Sequence, residues 1–306
     1  MHIACDIEGD KGPQVQGVIM AMEQDSECQL TLVAADEHRG TVVGRVLGAK
    51  REIRERIQMS FMPEIVDSSR NRALHLREML RNNQTTMSEA LSIVRNGNAD
   101  AMLTSGSTAA FVALSASRHH LGKSIGLHPA LMAKIPTLKG HDVFLLDAGA
   151  NPNAKPNEIA AFSELGVLWA KSQGVQKPSV SLLANGVELG KGTEELQETM
   201  KILQTNKNLH FNGNVEPEHV IAGEIEEGTN GHAGDINVVA TDGHTGNIFL
   251  KMYQAAPKGF LEFSKQELKR RSLIHPKTWI QIVSAKAVSG LFRETRRKLK
   301  DRVGAA

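Results

Sequence analysis

Residues 143–156 read VFLLDAGANPNAKP. The apolar run Val143–Leu146 is typical of a buried strand, and an acid ends it. Gly149 permits a tight turn, and Pro156 suits the first turn of a helix, which the pattern predicts over residues 157–173. The segment therefore predicts one β–α unit whose strand and helix are joined by a polar turn.

Similar units recur along the chain and predict an α/β fold. Strand-like runs alternate with helical patterns, which favours a doubly wound, mostly parallel sheet with helices on both faces. Right-handed crossovers place the loops after such strands along one edge of the sheet. We expect residues 1–306 to form a single domain with a basic amphipathic C-terminal segment at about 265–303. The predicted strands are residues 2–7, 29–34, 99–104, 143–147, 180–184, 209–212 and 236–241.

Composition and charge restrict the function classes. Aromatic residues make up only 4% of the chain, which argues against nucleic-acid modules built on stacking. The first ten residues lack a basic region, so we expect no signal peptide and a cytoplasmic protein. Residues 265–302 carry 12 Lys/Arg against 3 Asp/Glu. Such a segment suits an anionic partner, although a solvated amphipathic helix explains it equally well.

Residues 104–110, TSGSTAA, follow a predicted strand and open a helix. Backbone N–H groups and hydroxyls would converge there at Ser105, Gly106, Ser107 and Thr108. This arrangement suits an anion such as phosphate. The alternative is a plain helix cap by Ser or Thr.

Two other predicted strands also end in polar residues. Asn151 offers an amide and Lys155 a cation after one strand, whereas Asp242, Gly246 and Asn247 follow another. These side chains would meet at one edge if the strands are neighbours. Ordinary β–α turns remain the alternative.

Three further residues are candidates for the substrate site because they lie in Gly/Asn-rich turns. They are Glu188, Lys191 and Asn214.

Other chemistries lack their sequence signals. Residues 186–193, GVELGKGT, resemble a P-loop, but the spacer is one residue short and a glycine stands at the Ser/Thr position. The dinucleotide fingerprint is absent after the first strand, which disfavours a dehydrogenase. His119 and His120 have no third ligand at metal spacing, so no metal site is predicted. Cys5 and Cys28 have no evident base, which weakens an acyl-cysteine mechanism.

Taken in chain order, these turns resemble the bacterial acyl-ACP:phosphate acyltransferase family, commonly called PlsX. The family's L-D-V-G-A-N-x-x-x-K-P segment is similar to residues 146–156, and its D-G-F-x-G-N-x-x-L-K segment to residues 242–251. Its F-I-G-N-V-E segment is similar to residues 211–216. The phosphate-type turn departs from the family pattern, since Ser107 replaces an asparagine and Ala109 a glycine.

The resemblance implies an enzyme that transfers a fatty acyl group from acyl carrier protein to inorganic phosphate. It also implies an architecture related to phosphotransacylases and isocitrate dehydrogenases, a homodimer, peripheral contact with the inner membrane surface, and no metal or organic cofactor. Phosphate would lie on the Ser105 turn with Lys155 neutralising its charge. Asn151 and Asn247 would donate to phosphate or to the oxyanion, and Asp242 would orient Lys155 or a protonated phosphate oxygen.

Two alternative functions remain open. A phosphate acetyl- or butyryltransferase would share the sheet and the phosphate site but would use CoA thioesters. A non-catalytic paralogue would bind acyl phosphate or a carrier protein, and the replacements at Ser107 and Ala109 keep this second reading open.

Overall fold

The structure is a computed structural model that describes residues 1–7, 12–63, 85–118, 129–188, 190–225 and 233–270. The chain forms two compact units, Met1–Asn247 and Ile248–Ala306. Some predictions fall outside the described residues: those on His119 and His120, and those on the basic segment beyond Arg270. The single-domain prediction also stays a prediction.

Four parallel strands form the N-terminal sheet, in the order β3-β2-β1-β4. The chain proceeds from β1 to β2 and β3 on one side, whereas β4 pairs with the other side of β1. In open α/β sheets, ligands bind beyond the carboxyl ends of the strands at such a reversal. The strands are β1 (His2–Ile7), β2 (Gln29–Ala35), β3 (Ile57–Met62) and β4 (Ala101–Thr104).

Helices cover both faces of this sheet. Cys5 and Ile7 pack with side chains of α1 and α2, whereas Ala4 and Val33 pack with Ala90 of α4 on the opposite face. This division follows from the two-residue alternation of side chains along a strand. The helices are α1 (Gly12–Gln24), α2 (Arg39–Leu47), α3 (Arg51–Arg54) and α4 (Thr86–Arg95), and after β4 come α5 (Thr108–Ala113) and a π-helical turn at Leu114–Arg118.

A second sheet contains five strands in the order β5-β6-β11-β7-β8. Only β5 runs antiparallel to its neighbour in this sheet. A separate antiparallel pair consists of β9 and β10. The elements in chain order are β5 (Met132–Pro136), β6 (Asp142–Leu146), α6 (Pro156–Ser172), β7 (Ser179–Leu183), α7 (Glu194–Thr205), β8 (His210–Val215), α8 (Pro217–Ala222), β9 (Glu224–Ile225), β10 (Gly234–Asp235), β11 (Val238–Ala240) and α9 (Gly243–Arg270).

Helices α6 and α7 pack on one face of the second sheet and form an apolar cluster with it. Phe162 and Leu182 are fully buried in this cluster. Gly166 brings α6 against β11: a methyl group at this position would lie 2.4 Å from Cγ1 of Val238. The glycine is therefore required by close helix–strand packing.

The predicted α/β class is confirmed, but the strands divide between two sheets. An apolar run indicates that a segment is a buried strand. Which other strand it pairs with depends on contacts between residues distant in sequence. Boundaries agree within a few residues: the helix predicted at 157–173 is observed at Pro156–Ser172. In the second unit, the rings of Phe249 and Tyr253 stack with centroids 6.3 Å apart. Among the described residues, no helix combines the length and apolarity that crossing a membrane requires.

Candidate functional site

The loops that follow β6 and β11 lie side by side because these strands are parallel neighbours, with Ala240 opposite Leu146. Main-chain hydrogen bonds join the two loops. Thr241 N donates to Leu146 O at 2.6 Å, and Gly243 N donates to Asn151 O at 2.9 Å. Both loops emerge at the carboxyl ends of their strands, where α/β sheets bind ligands. The structure therefore places Asn151 and the segment Asp242–Asn247 in neighbouring loops.

Gly246 allows the two loops to approach closely. A Cβ atom at this position would lie only 1.9 Å from the main-chain oxygen of Asp147. No side chain fits there unless the loops separate. The close approach of the two loops therefore requires a glycine at position 246, whereas its predicted contact with phosphate stays a prediction.

Asp147 organises the first loop from within. Its carboxylate is completely buried. Oδ1 accepts hydrogen bonds from the main-chain N–H groups of Leu131, Gly149 and Ala150, at 2.9–3.0 Å. Oδ2 accepts from Asn151 N at 2.6 Å and from Asn151 Nδ2 at 2.8 Å. The loop is therefore wrapped around a protein carboxylate, and these N–H groups do not face a ligand.

The side chain of Asn151 forms hydrogen bonds within the protein. Its Nδ2 donates to Asp147 Oδ2 and to Pro129 O, both at 2.8 Å. Both amide hydrogens are thus already used within the protein. In this structure Asn151 therefore holds the loop in place, and its donation to phosphate or to the oxyanion stays a prediction. The sequence could not show this pairing, because Pro129 lies 22 residues away.

The carboxylate of Asp242 also accepts hydrogen bonds within the protein. Its Oδ1 accepts from the main-chain N–H groups of His244 and Thr245, each at 2.9 Å. Its Oδ2 accepts from the Thr245 hydroxyl at 2.6 Å. This is the N-capping arrangement of a helix, here α9. In this structure the Asp242 carboxylate caps α9, and its orientation of Lys155 or of a protonated phosphate oxygen stays a prediction.

Two predicted donors remain exposed beside these loops. Asn247 rests on Gly149: a Cβ atom at Gly149 would lie 3.4 Å from Cβ and Cγ of Asn247. Lys155 precedes α6, and its main-chain N–H donates to Glu158 Oε2 at 2.7 Å. Both side chains are exposed to solvent. Their amide and ammonium groups are therefore available to an anion.

The Ser105 turn lies at the carboxyl edge of the N-terminal sheet, at the reversal between β1 and β4. Thr104 Oγ1 donates to Asp6 Oδ2 at 2.8 Å, and Gln14 Nε2 donates to Ser105 Oγ. Ser107 Oγ accepts from Ala110 N at 3.4 Å and caps α5. The hydroxyls of Ser105 and Ser107 accept in these contacts, so each keeps its hydrogen to donate. Gly106 lies in the same turn, where its main-chain N–H donates to Thr104 Oγ1 at 2.9 Å, and Thr108 begins α5. The turn is thus joined to the end of β4 and, through Gln14, to α1.

The third group of candidates lies where β7 and β8 end. Asn214 is buried, and its Nδ2 lies 3.4 Å from the main-chain oxygen of Lys191. Gly186 is covered by side chains, since a Cβ there would lie 2.8 Å from Glu188 Oε2 and from Lys191 Cγ. The structure thus brings Glu188, Lys191 and Asn214 together beside the β6–β11 pair, because β7 is the direct neighbour of β11 and β8 follows it in the sheet.

Two further features of the described residues could suggest chemistry: the thiol of Cys5 and a cluster of two glutamates and a histidine. Burial, followed by the neighbouring Asp6 charge, raises the pKa of Cys5 to about 12, so it is a poor nucleophile. Glu216, Glu218 and His219 place potential metal ligands within 4.8 Å of one another. However, His219 Nδ1 accepts the main-chain N–H of Glu216, which gives this group a local role at the start of α8.

Comparison with known proteins gives concordant results. The family model described as "Fatty acid synthesis protein" matches residues 1–289. A protein named phosphate acyltransferase from Thermodesulfovibrio yellowstonii is 32% identical over 273 residues, which cover 88% of this chain and 72% of the relative. One of the same name from Clostridium botulinum is 29% identical over 278 residues, covering 89% of this chain and 77% of the relative.

Solved structures share the fold. A phosphotransacetylase from Streptococcus pyogenes superposes with a TM-score of 0.58 at 17% identity, and EutD phosphotransacetylase from Staphylococcus aureus with 0.56 at 14%. Each comparison covers 84% of this chain and 82% of the other. At these identities the likeness concerns architecture alone. Because the family model spans nearly its whole length, this chain belongs to the fatty acid synthesis protein family, to which its phosphate acyltransferase relatives point as well.

Proposed function

We propose that this chain transfers a fatty acyl group from the thioester of acyl carrier protein to inorganic phosphate, which gives an acyl phosphate for phospholipid synthesis. One observation carries the proposal: the paired loops after β6 and β11 use both their carboxylates internally and leave Lys155 and Asn247 exposed. Such an edge attracts an anion. The names of the curated relatives support phosphate as the acyl acceptor.

The reaction needs positioning more than an activated side chain. Inorganic phosphate is largely dianionic at neutral pH, so one of its oxygens attacks the thioester carbonyl carbon directly. A C–O bond forms while negative charge develops on the carbonyl oxygen. The C–S bond then breaks, and the thiolate takes a proton from solvent. The protein contributes by holding the reactants together and stabilising the oxyanion.

Each available group has a role in this scheme. The Lys155 ammonium neutralises phosphate, and the Asn247 amide donates to phosphate or to the oxyanion. Ser105, Ser107 and Thr108 supply further phosphate contacts through their hydroxyl and main-chain hydrogens. Gly106 shapes the turn that carries them, since its main-chain N–H donates to Thr104 Oγ1 at 2.9 Å. Asn151 and Asp242 shape the loops that carry the donors. Glu188, Lys191 and Asn214 border the region that receives the acyl donor.

Replacement of Lys155 tests the assignment. Removal of one group that stabilises the developing charge typically costs about 10²- to 10³-fold in turnover. We expect a loss of this size for Lys155→Ala, with unchanged stability because the side chain is exposed. The assay follows the release of carrier thiol from palmitoyl carrier protein in the presence of phosphate.

Lys171→Ala is the matched control, since Lys171 is an exposed lysine in the last turn of the same helix. It should retain full activity. A folded Lys155→Ala enzyme with normal turnover would exclude Lys155 from the site.

The donor is tested separately. We expect palmitoyl carrier protein to react more efficiently than palmitoyl-CoA. A preference for CoA thioesters would instead assign a CoA-dependent phosphate acyltransferase. If neither donor releases thiol in the presence of phosphate, the proposed transfer is rejected and the protein is assigned as a non-catalytic paralogue.

The remaining proposals concern assembly and location. We propose a cytoplasmic homodimer that contacts the inner membrane surface through its basic C-terminal segment, which carries 12 Lys/Arg between residues 265 and 302. Full-length protein should sediment with anionic vesicles at low salt and dissociate as salt screens the charges. Equal binding to neutral vesicles, or none to anionic ones, would reject the membrane contact. Analytical ultracentrifugation tests the dimer.

A further inference from the structure

Asp147 is the most extensively hydrogen-bonded carboxylate among the described residues. It is fully buried and accepts five hydrogen bonds, three at Oδ1 and two at Oδ2. A buried carboxylate is costly unless it is hydrogen-bonded, and bonds to an ionised group are the strong ones. This network fixes the conformation of residues 149–151.

The same residue also determines where Asn247 lies. Gly149, held by Asp147 Oδ1, lies directly against the side chain of Asn247. The main-chain oxygen of Asp147 occupies the space beside Gly246, the residue that precedes Asn247. Asp147 therefore contacts the support of Asn247 from two directions, through its carboxylate and through its main chain.

We infer that Asp147 is a positioning residue that acts through Asn247. The Asp147 carboxylate is enclosed by its five donors and touches no substrate. It keeps Gly149 and the start of α9 in the arrangement that presents the Asn247 amide. This inference rests on the proposed function, because it assigns the Asn247 amide to phosphate or to the oxyanion.

Asp147→Asn tests the inference with minimal change of shape. The amide oxygen can still accept from one set of donors, but its NH₂ group then faces the N–H groups of the other set. Residues 149–151 shift as a result. Because a displacement of about 1 Å can cost roughly 10²-fold in rate, we expect kcat/KM to fall by about that factor.

A double-mutant cycle separates positioning from a general structural effect. If Asp147 acts through Asn247, Asp147→Asn should lower kcat/KM by less than about threefold in an Asn247→Ala background, because the positioned group is already missing. Multiplicative losses in the double variant would overturn the inference, as would normal activity of Asp147→Asn alone.

Ser179→Ala is the structural control. Ser179 is buried at the start of β7, where its hydroxyl donates to Asp235 O at 2.6 Å and accepts from Asn237 N at 3.1 Å. Its removal should reduce stability and leave kcat/KM unchanged. Should Asp147→Asn not fold, Gly149→Ala tests the intermediate link in the same cycle, since Gly149 is bound by Asp147 Oδ1 and lies against Asn247; multiplicative losses in Gly149→Ala/Asn247→Ala would likewise overturn the inference. Gly149 has a φ of +136°, which disfavours any side chain.

Amide hydrogen exchange gives a readout independent of activity. In Asp147→Asn, exchange should accelerate at residues 149–151 and also in the segment 241–247. Acceleration restricted to residues 149–151 would overturn the link to Asn247. If the wild-type protein releases no carrier thiol, the proposed function fails, whereas the exchange experiment still decides whether Asp147 positions Asn247.

Discussion

Gly246→Ala should separate the two loops of the candidate site. The new methyl group would lie 1.9 Å from the main-chain oxygen of Asp147, whereas real Cβ contacts are at least 3.0 Å, so the loops must move by about 1.1 Å. Overpacking of this kind costs about 1–3 kcal/mol of unfolding free energy. The gain in helix propensity from Gly to Ala, about 1 kcal/mol, offsets only part of this cost.

The movement should affect activity more than stability. A shift of about 1 Å in the groups that hold the reactants can lower the rate roughly 10²-fold. Chemical denaturation measures the stability change, and release of carrier thiol measures turnover. Gly44→Ala is the control: Gly44 lies within α2, and a methyl group there would meet no neighbouring atom within 4 Å, so this variant should be stabilised by about 0.5–1 kcal/mol with normal activity. Wild-type stability and turnover in Gly246→Ala would refute the packing argument.

Three further predictions concern the described residues. Gly166→Ala should lower the unfolding free energy by about 1–3 kcal/mol, because its methyl group would overlap Val238, and turnover of the folded protein should be retained. The raised pKa of Cys5, about 12, predicts that this thiol does not react with a disulfide reagent at pH 8 until the protein unfolds; rapid reaction would contradict its burial. The hydrogen bond from Lys139 lowers the pKa of Asp235, so this stabilisation is present above the ordinary carboxyl pKa of about 3.9 and is lost as pH falls through the lowered value. Lys139→Met should therefore lose less stability than wild type between pH 6 and pH 2, as measured by denaturant unfolding; identical losses would argue against the ion pair.

Sequence patterns were sufficient to locate most of the described elements. Residues 143–146 and 180–183 lie in β6 and β7 as predicted, since a strand buried on both faces is nearly continuously apolar and only Ser181 interrupts these two runs. The polar residues after the strands could also be found, because Gly, Asn and Asp mark turns. The sequence did not reveal that the strands divide between two sheets.

The roles of the individual site residues were harder to predict from the sequence than the positions of the turns. The sequence predicts that Asn151 and Asp242 serve the reactants, whereas the structure uses both to build the loops. Asp147 was not among the predicted site residues. Its only sequence signal was an acid at the end of a buried strand followed by small residues, whose main-chain N–H groups can converge on a carboxylate.

By itself, the sequence determined the α/β class, the positions of the turns and the family resemblance, because these depend on residues close together in the chain. Only the tertiary structure decided which polar groups are paired inside the protein and which are exposed to solvent. Asn151 donates a hydrogen bond to Pro129 O, and Asp147 accepts one from Leu131 N. Gly149 supports the side chain of Asn247. Hydrogen-bonding capacity is limited, so a side chain already paired inside the protein cannot serve the substrate, and that pairing is set by three-dimensional contact.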